Sequence, residues 1–145
     1  MSVENFIDTN IFIYHMDNTD AGKHAIATRI IRTALQTDNA CISYQVVQEC
    51  LNVGLRKASV PFDHTRAFDY LGTVLIPLWR VMPSQRLFQQ GLDIQARYRF
   101  SFYDSLILAA ALEAGCKTLY SEDLQHGQQI ETLTIENPFR ELKRN

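Results

Sequence analysis

The spacing of apolar and polar positions along the chain predicts short strands separated by helices. Short apolar runs predict strands at residues 3–8, 40–43, 78–82, 117–123 and 133–137. Apolar residues three or four positions apart predict helices at residues 21–36, 44–58, 62–75, 85–99 and 103–115. Strands that alternate with helices usually pair in parallel and are covered on both faces. The pattern therefore predicts a three-layer α/β/α sandwich with a central parallel, Rossmann-like sheet.

The polar positions between these segments supply boundary signals. Ser43 and Ser84 each precede a helical pattern and are predicted to cap it, and Asp63 is predicted to open the helix at 62–75. Gly115 is expected to end the helix at 103–115. The chain has 145 residues and shows no repeat, low-complexity tract or linker. These features predict a single domain over residues 1–145.

Composition narrows the class of protein. Hydrophobic residues make up 46% and charged residues 21% of the chain, as in ordinary globular proteins. The strongest apolar run, residues 106–112, is too short to span a bilayer, and we expect no membrane contact. The N-terminus lacks the basic segment of a secretory signal. Three cysteines without CxxC spacing favour reduced thiols in a cytoplasmic protein.

Four carboxylates occupy positions that an α/β sheet would bring together. Asp8 follows the first strand and Asp123 ends the strand at 117–123. Asp104 begins the helix at 103–115, and Glu49 lies about two turns into the helix at 44–58. Ligands of such sheets gather beyond the carboxyl ends of the strands. Each acid alone has an ordinary explanation, such as a helix cap at Asp8 or a favourable helix dipole at Asp104.

Taken together, the four acids favour a metal site. Two like charges about 4 Å apart repel by roughly 4 kcal/mol at an effective dielectric constant of 20. Such a cluster raises its own pKa values unless a cation holds it. Oxygen ligands select hard ions such as Mg²⁺ or Mn²⁺, which suit phosphoryl-transfer chemistry. The chain has a net charge of −2, whereas many nucleic-acid binders are strongly basic. Acids gathered in one metal site, with basic residues elsewhere, would explain this net charge.

Four motifs in this order resemble the PIN-domain nuclease family, and within it the VapC-type toxins of bacterial toxin–antitoxin pairs. They are "FIDTNIFIYH" from residue 6, "QVVQECLNV" from 45, "SFYDSLILAAAL" from 101, and "TLYSEDLQHGQ" from 118. The resemblance spans nearly the whole chain, from Asp8 to Phe139. It implies a Rossmann-like parallel sheet and a metal-dependent endoribonuclease that yields 5′-phosphate and 3′-hydroxyl ends.

The resemblance also implies roles for individual residues. The catalytic and metal-binding acids would be Asp8, Glu49, Asp104 and Asp123. Asp8 and Asp104 would be the main ligands of Mg²⁺ (or Mn²⁺), and Glu49 and Asp123 would bind through water or complete a second site. Asp123 is preferred to Glu122 because the family pattern places the acid two residues after a small hydroxyl residue. Hydroxyl and amide side chains would steady the carboxylates: Thr9, Asn10 and Ser121.

Substrate and partner contacts are further expectations. Arg97 and Arg99 are candidate contacts to RNA phosphates. Phe100, Phe102 and Tyr103 are candidates to stack an unpaired base, with core packing expected for at least two of them. The resemblance implies a homodimer and a small antitoxin that blocks the acidic site. Apolar residues offered as candidates for these interfaces are Phe12, Ile13, Leu71 and Val74.

Other functions remain open from the sequence. A PIN-domain nuclease that processes RNA without a toxin role would carry the same motifs, and so would a non-catalytic interaction module on the same scaffold. A ribonuclease that uses two histidines and the 2′-hydroxyl is disfavoured, because the four histidines lie on different predicted elements. The RNA that is cut and the number of metal ions are not specified by these patterns.

Overall fold

The computed structural model describes residues 3–56 and 62–142 and has the predicted alternation of strands and helices. The strands are β1 (Asn5–Ile7), β2 (Ala40–Ser43), β3 (Trp79–Val81), β4 (Thr118–Tyr120), β5 (Gln129–Ile130) and β6 (Leu133–Glu136). The helices are α1 (Thr9–Met16), α2 (Ala21–Thr37), α3 (Tyr44–Arg56), α4 (His64–Tyr70), α5 (Ile76–Leu78), α6 (Gln85–Tyr98) and α7 (Phe102–Glu113). A π-helical run, Leu71–Leu75, joins α4 to α5.

The six strands form one sheet in the order β3-β2-β1-β4-β6-β5. The pairs β1–β2, β1–β4, β2–β3 and β4–β6 are parallel, and β5 pairs with β6 in antiparallel fashion at the edge. The chain therefore moves outward from β1 to β3 and then returns to the other side of β1. Because crossovers between parallel strands are right-handed, this reversal moves the connecting helices to the opposite face. The prediction of an α/β/α sandwich is confirmed.

The reversal creates a crevice between β1 and β4. Connections leave these two neighbouring strands in opposite directions, so their carboxyl ends are not covered by the same loop. Phe6 and Ile7 of β1 are fully buried, which fits the central position of that strand. In α7 every residue from Ser105 to Ala111 is buried, so this helix lies inside the protein. The core thus supports both walls of the crevice.

Most predicted boundaries agree with the structure, but several elements differ. Ser84 Oγ accepts a hydrogen bond from the Leu87 N–H at 3.0 Å, and Asp63 caps α4, as predicted. The Ser43 cap is wrong, because Ser43 Oγ is buried with no hydrogen-bond partner among the described residues. The strand predicted at 117–123 is only Thr118–Tyr120. The short strand β5 was not predicted, and residues 57 and 58 of the helix predicted at 44–58 lie outside the described part of the chain.

Helices α6 and α7 pack closely at Gly91. A Cβ atom at this position would lie 2.7 Å from Leu106 Cδ2, which is closer than carbon atoms approach one another. Glycine therefore allows α6 to approach the buried helix α7. This contact helps to fix the N-terminal turn of α7, where Asp104 lies.

The helices of residues 3–56 and 62–142 include none that is long and apolar enough to cross a lipid bilayer.

Candidate metal centre

Asp8 lies directly after β1 and also caps α1. Its carboxylate accepts a hydrogen bond from the Thr9 N–H at 2.7 Å, and its backbone N–H donates to the Tyr120 carbonyl of β4 at 3.0 Å. The residue is thus held between β1, α1 and β4. Both roles considered from the sequence, strand end and helix cap, apply to Asp8.

All four predicted acids line one cavity of about 350 Å³ at the carboxyl ends of β1 and β4. Asp8 comes from β1, Glu49 from α3, Asp104 from the first turn of α7, and Asp123 from the loop after β4. The remaining lining residues are Thr9, Asn10, Ile13, Gln45, Asn52, Val53 and Ile107. The structure therefore brings together the acids that the sequence singled out, although their chemical roles stay predictions.

Two hydroxyl groups orient the carboxylates. Ser121 Oγ donates to Asp8 Oδ2 at 2.9 Å, and Thr9 Oγ1 donates to Glu49 Oε1 at 2.6 Å. Thr9 therefore links two acids, since its backbone N–H binds Asp8 and its side chain binds Glu49. These are the contacts expected of residues that steady a carboxylate.

The pKa of Asp8 is raised from 3.8 to about 6. Burial is the largest cause, because the charged form loses its hydration. The hydrogen bonds from Thr9 and Ser121 lower the pKa, but the negative charges of Glu49 and Asp104 raise it again. The structure thus holds a carboxylate where its negative charge is poorly compensated by the protein.

Asp104 is positioned by a second cap. Ser101 Oγ accepts a hydrogen bond from the Asp104 N–H at 3.1 Å at the N-terminus of α7. The Gln45 side chain of α3 donates through Nε2 to the Tyr103 carbonyl at 3.1 Å. This bond ties α3, which carries Glu49, to the turn that carries Asp104.

The adjacent acids Glu122 and Asp123 have different surroundings. Glu122 forms an ion pair with Lys23 of α2 and accepts a hydrogen bond from the Tyr14 hydroxyl. Burial opposes the charge of Lys23, but the hydrogen bond to Glu122 raises its pKa above the usual value. Asp123 is exposed and lines the cavity. This geometry favours Asp123 over Glu122 as the fourth acid.

The donor chemistry of the cavity fits a hard divalent cation. Its charged groups are all carboxylates, and the buried amide Nδ2 and Oδ1 of Asn10 have no hydrogen-bond partner among the described residues. The expected contact from Asn10 to a carboxylate is therefore not seen. Within residues 3–56 and 62–142, however, no three His, Cys, Asp or Glu side chains are drawn tightly enough together to enclose an ion. The acids surround an open cavity and do not form a closed cage.

Two further groups of predicted residues lie elsewhere. Arg97 and Arg99 do not line the cavity; Arg97 pairs with Asp93 at 3.6 Å, and Arg99 is exposed at the C-terminal end of α6. Phe12 and Val74 are buried in the core, so they are unavailable as interface residues.

Sequence reasoning missed Gln45, Asn52 and Lys23 at or near the site. Gln45 and Asn52 carry no distinctive pattern. The burial of Lys23 could have been predicted, because Ala27 lies four positions later on the same face of α2 and is buried.

The fold and the cavity define an α/β protein with an acidic site in the crevice between β1 and β4, where the order in which strands join the sheet reverses. A family model described as "PIN domain" matches residues 6–128. Since this match covers most of the chain, the protein belongs to the PIN domain family. No curated protein matches the sequence.

Several solved structures have a similar fold. The VapC20 toxin of Mycobacterium tuberculosis, described as cleaving the sarcin-ricin loop, is 22% identical, with a TM-score of 0.61 over 83% of this chain and 90% of that one. DNA-bound VapBC of Salmonella typhimurium is 18% identical, with a TM-score of 0.67 over 94% and 98%. VapBC2 of Rickettsia felis is 15% identical, with a TM-score of 0.67 over 93% and 98%. At these identities the comparison establishes a shared fold.

Proposed function

We propose that this protein is a Mg²⁺-dependent (or Mn²⁺-dependent) endoribonuclease that acts in the cytoplasm as the toxin of a toxin–antitoxin pair. The observation that carries the proposal is the convergence of Asp8, Glu49, Asp104 and Asp123 on one cavity of a PIN domain. Four separate segments deliver these carboxylates, and a structural role for each would not require them to share a cavity. The similarity in fold to VapC toxins supports the same class of activity.

The cavity suits hydrolysis of a phosphodiester. A bound divalent cation would neutralise phosphate charge and make a water molecule more acidic. Asp8 and Asp104 would hold that cation, with Glu49 and Asp123 binding through water or at a second position. Thr9 and Ser121 keep the carboxylate oxygens oriented.

The reaction that we propose is attack of a water oxygen on phosphorus, with cleavage of the bond to the 3′ oxygen. The leaving 3′ oxygen takes up a proton, so the products carry a 5′-phosphate and a 3′-hydroxyl. The 2′-hydroxyl has no role in this reaction. A histidine-based ribonuclease would instead leave a cyclic phosphate.

The proposed partners follow from the same class. The antitoxin would dock on an apolar groove of about 190 Å³ between α3 and α4. The groove is lined by Leu51, Leu55, His64, Ala67, Phe68 and Leu71. Leu55 is 57% and Phe68 is 64% exposed, so this surface is suited to burial against a partner. We also propose a homodimer, as in the VapC-type class.

The decisive experiment is to map RNA ends after incubation with the purified protein. We expect 5′-phosphate and 3′-hydroxyl ends with Mg²⁺, and no cleavage in EDTA. Asp104→Asn should reduce the rate at least about 1000-fold, equivalent to about 4 kcal/mol. Asp93→Asn is the matched control, because Asp93 is exposed on α6 and does not line the cavity. Cleavage that persists in EDTA, or cyclic phosphate ends, would contradict the proposal.

The toxin role requires a cellular test. Induced expression should arrest growth, and Asp104→Asn should remove the effect. Growth arrest that survives the substitution would favour a non-catalytic interaction module. Cleavage in vitro without growth arrest would favour an RNA-processing nuclease.

A further inference from the structure

Three aromatic side chains form an exposed cluster on α6 and α7, which we call the aromatic ladder: Phe88, Phe102 and Tyr103. The rings of Phe88 and Phe102 lie 6.4 Å apart between centroids and are nearly parallel, at 11°. Phe102 and Tyr103 meet edge to face at 5.6 Å. Their exposed fractions are 39%, 37% and 67%, respectively. Of the three candidates Phe100, Phe102 and Tyr103, only Phe100 packs against the core, so the expectation that at least two of them pack there is wrong.

The ladder adjoins the acidic cavity. Tyr103 directly precedes Asp104, and consecutive Cα atoms are only about 3.8 Å apart. The Tyr103 carbonyl accepts the hydrogen bond from Gln45, which itself lines the cavity. The backbone of Tyr103 is thus fixed at the edge of the cavity, while its ring is exposed.

The segment that leads into α7 carries positive charge. Residues 97–103 contain two arginines and no acid. Arg99 is exposed, and no carboxylate among the described residues pairs with it. An exposed arginine without a paired carboxylate is complementary to the phosphates of a nucleic-acid chain. An unpaired RNA base presents a flat π face to the ladder and a phosphate to Arg99.

We propose that the aromatic ladder is a base-stacking subsite, in which Tyr103 and Phe102 hold an unpaired RNA base beside the phosphate that enters the acidic cavity. This inference rests on the proposed nuclease function. A base within a continuous duplex cannot leave its neighbours without unstacking, so the substrate class is single-stranded or looped RNA. Arg99 would contact a phosphate near the stacked base.

The first test measures stacking directly. A single-stranded RNA that contains 2-aminopurine is titrated with the protein in the Asp8→Asn background, which prevents cleavage. We expect fluorescence quenching on binding. Tyr103→Ala should weaken binding about tenfold and remove most of the quenching, because stacking on an aromatic ring contributes roughly 1–3 kcal/mol per base. Tyr103→Phe should retain both, since it keeps the ring.

Ile76→Ala is the control. Ile76 is an exposed apolar residue of α5, 51% exposed, and lines neither the acidic cavity nor the groove between α3 and α4. It should bind RNA as the unchanged protein does. Circular dichroism and size-exclusion chromatography of each variant verify folding and oligomeric state.

The second test uses cleavage in the otherwise unchanged chain. Tyr103→Ala should raise KM for unpaired RNA about tenfold with little change in kcat. An unchanged KM and unchanged quenching would overturn the stacking subsite while leaving the nuclease function intact. Loss of a dimer with unchanged RNA binding would assign the ladder to an interface between copies. Absence of any RNA binding or cleavage by the unchanged protein would overturn both proposals.

Discussion

Two half-buried carboxylates, Glu122 and Asp8, differ in whether the protein pairs them with a cation. Around Glu122, the protein supplies a cation: Lys23 is 7% exposed, forms the ion pair, and contacts the Tyr14 hydroxyl at 3.2 Å. Around Asp8, no cationic side chain forms an ion pair within the described residues. Two further carboxylates raise the Asp8 pKa instead.

In the proposed function, Glu122 is a structural charge and Asp8 is a functional one. A buried charge is costly unless it is paired. Lys23 pairs with Glu122, whereas no cationic side chain of the described residues pairs with Asp8. Asp8 accepts hydrogen bonds from Thr9 and Ser121 but has no cation beside it, and the divalent ion proposed above would supply that positive charge.

The largest expected effect is the loss of RNA cleavage when Asp8 is replaced. Asp8→Asn should reduce RNA cleavage at least about 1000-fold, or about 4 kcal/mol, because it removes a ligand of the proposed cation. The free energy of unfolding without metal should stay equal or rise, since a poorly solvated charge is removed. Kinetic assays and urea denaturation measure the two effects. A variant that cleaves RNA normally would contradict the functional assignment of Asp8.

The next largest effect is the loss of stability when the Lys23–Glu122 ion pair is broken. Lys23→Met leaves Glu122 half-buried without its cation, so the free energy of unfolding should fall by about 3 kcal/mol. The double variant Lys23→Met/Glu122→Gln should recover part of this loss, because no unpaired charge remains. Urea denaturation at pH 7 measures both variants. If the single substitution proved neutral, the ion pair would not be the stabilising element that its burial indicates.

The smallest effect is the pH dependence of the metal-free protein. The pKa of Asp8 is about 6 when folded, against 3.8 for the ordinary group, so the folded state holds its proton more tightly between these values. The stabilising contribution is therefore complete below pH 3.8 and is lost as the pH rises through 6. We expect a decrease of about 2 kcal/mol, reduced by solvent in the open cavity.

Denaturation in EDTA at several pH values measures this decrease. Asp8→Asn should remove it, and Mg²⁺ should restore stability above pH 6. A decrease of the same size in Asp8→Asn would assign the pH dependence to other groups.

The sequence predicted the parts of the fold that depend on local pattern. Helix α2 was found at 21–36 and observed at Ala21–Thr37, because its apolar residues recur at helical spacing. The hairpin of β5 and β6 was missed for a physical reason. Its turn, Glu131–Thr132, contains no Asn-Gly or similar pair, although Glu131 adopts a φ of 55°. Only the pairing of β5 with β6 identifies the strand.

The sequence was sufficient to predict that the acids converge, but it did not reveal the contacts of the residues around them. Asp8 and Asp123 follow strands, and sheet topology alone brings such positions together. The Lys23–Glu122 ion pair joins residues 99 apart in the chain, so no local pattern reveals it. The Asn10 amide illustrates the same limit, since its lack of a hydrogen-bond partner depends on the packed structure.

The hydrogen bond from Ser121 to Asp8 joins residues 113 positions apart. During synthesis on the ribosome, β1 emerges early but gains its neighbour β4 only after residue 120 has been made. Contacts between such distant residues form late, because the intervening chain must close a long loop first. A nascent chain therefore carries Asp8, Glu49 and Asp104 without an assembled cavity. If the protein cleaves RNA as proposed, the ribosome that makes it is not exposed to an assembled active site until β4 has been synthesised.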